Sequence, residues 1–288
     1  MRRKALLSRL LPALATLLIS QQTPAQIIDL SSGKELSEQA LVERLGMADI
    51  VLLGELHDNR LHHALRGQLI AQLAGKGRTV VAEHLPQGGP VSFVSDTRAD
   101  LVTAGFDPAG WDWPTHEKLY EQIRASRTPL VGGNLPRDQS RQIFMQGVTA
   151  LPDRMAQTYE KSRLDAAAEK ILNRDLIDGH CGKLPERYQS RMRFAQRITD
   201  ITLAHTLLDH RPAVLVAGNG HVRKDYGVPQ VIAATAPQLR QISVGFVEGS
   251  ADSRELIQSL GGQYDVVWLT ERAERKDPRE FRAQVVPS

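Results

Sequence analysis

The 288-residue sequence has 36 lysine and arginine residues, 33 aspartate and glutamate residues and a single cysteine. One cysteine excludes an intramolecular disulfide and any structural zinc site built from several cysteines. The formal net charge is +3, but the first 25 residues hold four basic side chains and no acidic one, which leaves the rest at 3 − 4 = −1. Since no stripe of lysine and arginine with interleaved aromatic residues follows, we expect no nucleic-acid partner.

The amino-terminal segment predicts export. Basic residues at positions 2–9 precede an uncharged, mostly apolar run at 10–19, and a polar stretch ends in small residues at Ala25. This order is typical of a secretory signal, and the apolar run would cover only about 15 Å of helix, half of what crossing a bilayer requires. We therefore expect cleavage after Ala25. Cys181 lies far from this point, so the chain lacks the cysteine that a bacterial lipoprotein carries there.

Short apolar runs rich in valine, isoleucine and leucine alternate with longer amphipathic stretches. The predicted strands are Ile27–Leu30, Asp49–Gly54, Thr79–Ala82, Pro129–Gly132, Ala213–Ala217, Ile242–Phe246 and Tyr264–Leu269. Several of these runs are almost continuously apolar, as in parallel strands that are buried on both faces. After the second strand, Asp58 is expected to cap a helix in which leucines recur every four residues from Leu61 to Leu73. The alternation predicts an α/β fold with a mostly parallel sheet that helices cover on both faces.

One region interrupts this alternation. Residues 137–210 contain no convincing strand. The helices predicted there are Arg141–Met145, Met155–Leu172 and Leu184–Leu208. We therefore predict a small all-helical subdomain at 137–210, inserted into an α/β domain made of 26–136 and 211–270, with 271–288 as a C-terminal tail.

Polar side chains follow the ends of four predicted strands. They are Glu55 and His57, Glu83 and His84, Asn134, and Asn219 and His221. Because the carboxyl ends of parallel strands share one edge, and ligands bind in the crevice there, these side chains are expected to meet. A carboxylate beside a histidine can hold a tautomer, share a proton or bind a metal ion. The leading candidates are Glu55, His57, Glu83 and His221.

The other histidines are assigned less clearly. His84 alternates away from Glu83 and is equally compatible with a site and with packing. His62 and His63 lie on the helix after Asp58, where we expect a solvated face. His205 and His210, near the end of a long helix, are expected at the surface or as favourable charges at the helix end.

Several segments resemble a known family. Residues 51–59, with the sequence VLLGELHDN, are similar to the opening motif of the ChaN family, which are haem-binding uptake proteins of Gram-negative bacteria. The other similar segments, in chain order, are Trp111-Asp112-Trp113-Pro114, Gly133-Asn134-Leu135-Pro136-Arg137, His180 to Pro185, Ala195-Gln196-Arg197 with Asp200, and Val216 to Pro229. Each segment is short, but in this order they extend over most of the chain.

The resemblance implies an α/β domain with a small helical domain, and a function in haem and iron uptake. It also implies a homodimer that holds two haems face to face at its interface, with tyrosine as an iron ligand. The expected location is the periplasm or the outer membrane, with an outer-membrane haem receptor as a partner. Two features depart from the family: the missing lipoprotein cysteine, and His116 at a position that often holds tyrosine.

Candidate haem-binding residues follow from the resemblance. They are His57, Asn134, His180, Arg197, His221, Arg223, His116, Tyr120, Tyr188 and Tyr226. Of these, Tyr120, His116, Tyr188 and Tyr226 are candidate iron ligands, since both residue types are competent, and the axial ligand stays unassigned. Trp111, Trp113 and Phe106 could stack on a porphyrin or pack in the core, while Arg197 and Arg223 suit haem propionates. Arg197 could equally bridge Asp200 within its helix.

Two other functions stay open. The broader superfamily resembles erythromycin esterases and Tiki-type metalloproteases, so an alternative is a metal- or His/Glu-dependent hydrolase, an esterase or protease, that uses Glu55, His57, Glu83 and His221. The sequence has no Gly-X-Ser-X-Gly motif, which argues against a serine hydrolase. A third hypothesis gives the polar cluster a structural role only.

Overall fold

The computed structural model describes residues 26–250 and 254–275. The predicted signal at 1–25 and the end of the predicted tail lie outside these ranges. The strands are β1 (Gln26–Asp29), β2 (Lys34–Leu36), β3 (Ile50–Leu53), β4 (Thr79–Pro86), β5 (Leu130–Asn134), β6 (Ala213–Val216), β7 (Gln241–Glu248) and β8 (Val266–Thr270). The α-helices are α1 (Glu38–Gly46), α2 (Arg60–Gln72), α3 (Thr97–Thr103), α4 (Trp113–Ala125), α5 (Arg137–Gln146), α6 (Asp153–Lys161), α7 (Ala166–Gly179), α8 (Glu186–Asp209), α9 (Val228–Thr235) and α10 (Arg254–Leu260).

The strands form one sheet with the order β2-β1-β8-β7-β3-β6-β4-β5. The pairings from β8 through β5 are all parallel, and β1 is antiparallel to both β2 and β8. The predicted α/β fold with a mostly parallel sheet is therefore confirmed. The sequence analysis did not predict β2, a three-residue edge strand without an apolar run.

The central strand β3 shows why its sequence is continuously apolar. All four residues of Ile50-Val51-Leu52-Leu53 are fully buried. Val51 and Leu53 belong to the core that α1, α2 and α4 cover, while Ile50 and Leu52 belong to the core that α8 and α9 cover. Because successive side chains point to opposite faces, both faces of this strand need apolar residues.

The start of α2 differs from the prediction. Asn59, and not Asp58, caps the helix, since its Oδ1 accepts hydrogen bonds from the backbone N–H groups of Leu61 and His62 at 2.9 and 3.2 Å. Asp58 instead pairs with Arg275, with Oδ2 2.6 Å from the guanidinium Nε. Both residue types are good caps, so composition alone does not separate these neighbours.

The prediction that His62 and His63 face solvent is wrong, because both are fully buried. One side of α2 packs against the core and another against α4, so the helix has two covered faces. Gly67 allows the close approach, since a Cβ there would lie 3.0 Å from the Gln122 side chain. His62 is fixed by the backbone N–H of Leu56, which donates to Nδ1 at 3.1 Å, and by Thr270 Oγ1 at 2.9 Å from Nε2.

Between β5 and β6 the described chain contains helices and no strand. The single helix predicted at Met155–Leu172 is instead two helices, because Asp165 begins α7 by accepting a hydrogen bond from Ala168 N–H at 2.8 Å. His205 is buried and not at the surface, since α6 crosses α8 and Thr158 Oγ1 lies 2.9 Å from His205 Nε2. The later half of α8 packs on β4, β5 and β6. The division into an α/β domain and a helical subdomain stays a prediction.

No helix in the described ranges is long and apolar enough to cross a membrane.

The junction of β4 and β5 yields a testable prediction. β4 continues past the predicted end at Ala82 to Pro86, with a register shift against β5, and the Pro86 carbonyl then lies where a Cβ on Gly132 would be. We expect Gly132→Ala to lower the free energy of unfolding by at least about 1–3 kcal/mol, the usual cost of overpacking. Urea denaturation measures this change.

Gly89→Ala is the matched control, because nothing lies within 4 Å of the Cβ that it adds. Equal unfolding free energies for the two variants would contradict the close approach of Pro86.

Candidate functional site

Strands β3, β6 and β4 are neighbours in the sheet, and the predicted polar residues meet at their carboxyl edge. Glu55 and His57 follow β3, Glu83 lies late in β4, and His221 is in the loop after β6. The backbone N–H of Asn219 donates to the carbonyl of Glu55 at 2.9 Å, which joins two of these loops. The structure thus brings together the four leading candidates from the sequence.

Asn219 holds this edge in place. Its Nδ2 donates to the carbonyl of Phe246 at 2.6 Å, and its Oδ1 accepts from the N–H of Phe246 at 3.2 Å. A Cβ on Gly54 would overlap Asn219 Oδ1. Gly54 is therefore required by the packing of the edge.

The carboxylate of Glu55 is fully buried and has four close partners. Its Oε1 lies 2.7 Å from His57 Nδ1 and 2.9 Å from His84 Nε2. Its Oε2 lies 3.2 Å from His63 Nδ1 and directly against the guanidinium of Arg66. We call these five residues, together with the adjacent His116, the Glu55 cluster.

Burial keeps the inner histidines of the Glu55 cluster neutral. It lowers the pKa of His63 to about 3 and that of His116 to about 2, and it holds the pKa of His84 well below the usual value. Burial also lowers the pKa of Arg66 to about 9, so this guanidinium is still charged at neutral pH. Arg66 is therefore the counterion of Glu55.

Glu83 and His84 are consecutive strand residues, so their side chains point to opposite faces of the sheet. His84 faces the Glu55 cluster, and its Nδ1 lies 3.0 Å from the hydroxyl of Tyr120. Glu83 faces the other way, and its Oε2 accepts a hydrogen bond from the N–H of Gly218 at 2.7 Å.

A second buried charge network surrounds His221. Its Nδ1 lies 2.7 Å from Asp200 Oδ1, and its Nε2 lies 3.3 Å from Glu83 Oε1. Burial opposes charge on this ring, but the two carboxylates outweigh it and raise the pKa of His221 to about 10. The charged ring holds the pKa of Glu83 below its usual value against the effect of burial, while burial raises the pKa of Asp200. We call these three residues the His221 cluster.

His57 is the accessible histidine of the edge. Its side chain is 49% exposed, although its Nδ1 is bound to the buried Glu55. The ring lies 5.3 Å from the ring of Trp111. A Cβ on Gly218 would lie 2.8 Å from His57 Nε2, so only glycine lets the ring pack this closely against the backbone of the loop after β6.

Two clefts open beside these clusters, and Glu83 borders both. One, of about 540 Å³, is lined by His57, His221 and Tyr226, among others. The other, of about 750 Å³, is lined by His84, Trp111 and Asn134, among others. The Asn134 side chain donates to the carbonyl of Glu83 at 3.1 Å.

The candidate iron ligands are placed very differently. His116 and Tyr120 are fully buried in α4. Tyr226 is buried and donates its hydroxyl proton to Asp175 at 3.0 Å. Tyr188, in the first turn of α8, is 36% exposed, and His180 is exposed at the end of α7.

The candidate arginines already have protein partners. Arg197 is buried and donates to the backbone carbonyls of Ser162 and Tyr226, while its contact with Asp200 is 3.5 Å long. Arg223 pairs with Asp225 at 2.6 Å and with Asp175 at 3.2 Å. Among the candidate stacking residues, Phe106 and Trp113 pack against Tyr120, whereas Trp111 reaches a cleft.

Sequence reasoning missed three residues of these clusters, His63, Arg66 and Asp200. The first two lie on α2, on a face that the sequence analysis expected to be exposed to solvent. Asp200 was noted only as a helical partner of Arg197. One signal was available, since Asp200 stands between Ile198 and Ile201 in a long helix, and an acidic residue on an apolar helix face needs a buried partner.

The His221 cluster generates a pH prediction. Folding raises the pKa of His221 from 6.5 to about 10, so its contribution to stability is complete below about pH 6.5 and is lost as the pH rises through about 10. We expect wild-type protein to lose unfolding free energy over this window more steeply than His221→Gln, which cannot titrate. Urea denaturation at a series of pH values measures both slopes.

His205→Gln is the control, since His205 is buried in α8 but bonds to Thr158 and contacts neither carboxylate of the His221 cluster. It should retain the wild-type slope. Parallel curves for wild type and His221→Gln would show that His221 is not charged in the folded protein.

Comparison with known proteins gives one family match and several similar solved structures. The family model described as haem-binding uptake, Tiki superfamily, ChaN matches residues 41–232. Among solved structures, ChaN of Campylobacter jejuni with cofacial haem has a TM-score of 0.69 and 20% identity, over 86% of this chain and 97% of that chain. The type III effector HopBA1 has a TM-score of 0.45 and 13% identity, over 81% and 93% of the two chains. A protein from Bacillus cereus has a TM-score of 0.43 and 12% identity, over 80% and 90%.

No curated protein matches the sequence. The likeness to the Campylobacter jejuni structure shows a shared fold. The family match includes β3 through β6 and both clusters, and it covers more than half of the 288 residues. The chain therefore belongs to the haem-binding uptake family of the Tiki superfamily, ChaN.

Proposed function

We propose that the protein is an exported haem-binding protein of iron uptake that holds haem in the 540 Å³ cleft. The observation that carries this proposal is the family match over residues 41–232, which includes the accessible imidazole of His57 at that cleft. The proposed location is the periplasm or the outer membrane.

His57 fits an iron ligand best among the candidate residues. Its Nδ1 is bound to Glu55 at 2.7 Å, and its side chain is 49% exposed and lines the cleft. A carboxylate behind a ligating imidazole fixes the ring and raises its basicity, which strengthens binding to a metal. Histidine is also a common proximal ligand of haem iron.

The tyrosine candidates fit less well. Reaching iron would require Tyr120 to leave the core and its bond to His84. Tyr226 would have to give up its bond to Asp175, although it lines the same cleft as His57. Tyr188 is accessible and remains the strongest alternative ligand.

The proposal extends to assembly. The Campylobacter jejuni relative is described as binding haem cofacially. A cofacial pair has two haem planes against each other, which two copies of one chain can supply with one haem each. We therefore include a homodimer, and an outer-membrane haem receptor as its partner, in the proposed function.

The family match favours haem uptake over the hydrolase alternative, and His221, one of the four residues of that alternative, does not fit the role of general base. A general base must accept a proton at the working pH. The pKa of His221 is raised to about 10 between Glu83 and Asp200, so its ring is already protonated at neutral pH. This leaves the His221 cluster as a charged support of the cleft wall.

Hemin titration tests the proposed ligand. We expect the secreted wild-type protein to shift the Soret band of hemin with saturation. His57→Ala should weaken hemin binding at least about tenfold, equivalent to about 1.4 kcal/mol, because it removes the ligand at the cleft. Tyr188→Phe and Tyr226→Phe should retain the wild-type spectrum.

His210→Ala is the matched control, since His210 lies just before β6, at the opposite edge of the sheet. It should bind hemin as the wild type does. A wild-type titration without saturation would refute haem binding. An unchanged His57→Ala titration would refute the ligand alone.

Export and assembly are tested on the full chain expressed in a Gram-negative host. We expect the purified periplasmic protein to begin at Gln26, as read by amino-terminal sequencing. Light scattering should give a dimer mass once hemin is bound. An intact Met1 in the product would contradict export, and a monomer mass with bound hemin would contradict the dimer.

A further inference from the structure

We propose that Glu55, His84 and His116 form a binding site for a divalent transition-metal ion such as Zn²⁺, next to the proposed haem ligand His57, whose Nδ1 lies 2.7 Å from Glu55 Oε1. One ligand atom of each residue lies within 4.8 Å of the other two. Glu55 Oε1 lies 2.9 Å from His84 Nε2 and 3.8 Å from His116 Nε2. Ligands about 2.0–2.2 Å from one zinc ion lie about 3–4 Å apart, so these atoms need only small shifts.

His116 supplies an independent observation. Its side chain is buried within α4 and aimed at the Glu55 carboxylate, yet its Nε2 has no hydrogen-bond partner within the described chain. The distance of 3.8 Å to Glu55 Oε1 is too long for a hydrogen bond. A buried polar atom without a partner costs free energy, and an ion between these groups would remove that cost.

His84 can change from hydrogen-bond donor to metal ligand without losing a proton. In the absence of an ion, its Nε2 carries the proton toward the ionised Glu55 at 2.9 Å, and its Nδ1 accepts from the Tyr120 hydroxyl at 3.0 Å. When Nε2 ligates an ion, the proton moves to Nδ1, and the Nδ1–H group then donates a hydrogen bond to the Tyr120 hydroxyl oxygen, which can act as donor or acceptor. Tyr120 then orients the ligating ring, as outer partners of metal-bound histidines do.

The other two histidines of the Glu55 cluster, His57 and His63, already use ring nitrogens in hydrogen bonds to protein groups. His63 Nε2 donates to the carbonyl of His57 at 3.0 Å, so its Nδ1 accepts from Arg66 at 2.8 Å. His57 binds Glu55 through Nδ1 and is half exposed. The ion therefore has three protein ligands, and its remaining position is open to water.

The chemistry of these ligands selects the class of metal. Two imidazole nitrogens and one carboxylate oxygen suit Zn²⁺, Co²⁺ or Cu²⁺, while Mg²⁺ and Ca²⁺ prefer oxygen ligands. Arg66, which contacts Glu55, repels the added charge, while Glu83, the neighbour of His84 in β4, attracts it.

Access to the site runs through the 750 Å³ cleft, which His84 and Trp111 line. The Trp111 ring lies 4.8 Å from the ring of His84 and 6.0 Å from that of His116. This half-buried indole packs beside both ligand rings, so an ion that enters from the cleft passes next to it.

Cobalt is the probe for the experiment. Secreted wild-type protein is stripped with a chelator and titrated with Co²⁺, whose visible bands report nitrogen ligands in a low-coordinate site. We expect bands that saturate at one ion per chain and a higher melting temperature. His116→Phe keeps the aromatic packing and should lose the bands.

His205→Gln is the control, since it removes a buried histidine outside the Glu55 cluster and should retain the bands. Circular dichroism establishes that each variant is folded. If His116→Phe does not fold, wild-type crystals soaked in Co²⁺ decide, and an anomalous peak between the three ligand atoms supports the site. The proposal would be overturned if wild-type protein showed no visible bands at excess Co²⁺, or if folded His116→Phe kept the wild-type bands. An anomalous peak away from the three ligand atoms would also overturn it.

Discussion

The contact between Glu55 and Arg66 is the constraint on which this edge of the molecule depends. Both side chains are fully buried, and removing one partner of a buried ion pair usually costs about 3–5 kcal/mol because the other charge is left uncompensated. Glu55 follows β3 and Arg66 lies in α2, so the pair fixes the helix against the end of the central strand. Every other polar group of the Glu55 cluster is arranged around this pair.

Two buried networks lie side by side and differ in charge because their cations differ. In the Glu55 cluster Arg66 supplies the positive charge, so the inner histidines stay neutral and keep lone pairs for other partners. The His221 cluster has two carboxylates close to one imidazole, which therefore carries the proton. The alternation of Glu83 and His84 along β4 assigns one residue to each network.

Much of the sheet was predictable, because β3 and β6 are buried on both faces and their sequences are almost wholly apolar. The position of the polar residues was predictable because they stand directly after these apolar runs, at the carboxyl ends of the strands. Other features depend on tertiary contacts that leave little trace in the sequence. α4 covers the face of α2 that was expected to be solvated, and Asp200 reaches His221 from a helix 21 residues away in the chain. The break before Asp165 depends on one cap in an otherwise helical stretch.

The two walls of the 540 Å³ cleft are held by different forces. One wall is the sheet edge, which rests on the buried core beneath β3 and β6. The other includes α7, where Asp175 binds the hydroxyl of Tyr226 and the guanidinium of Arg223. Asp175 is partly exposed, so dissolved ions screen these contacts in part, whereas the apolar packing beneath the sheet edge has no charge to screen. The α7 side of the cleft is therefore the side whose contacts respond more to ionic strength.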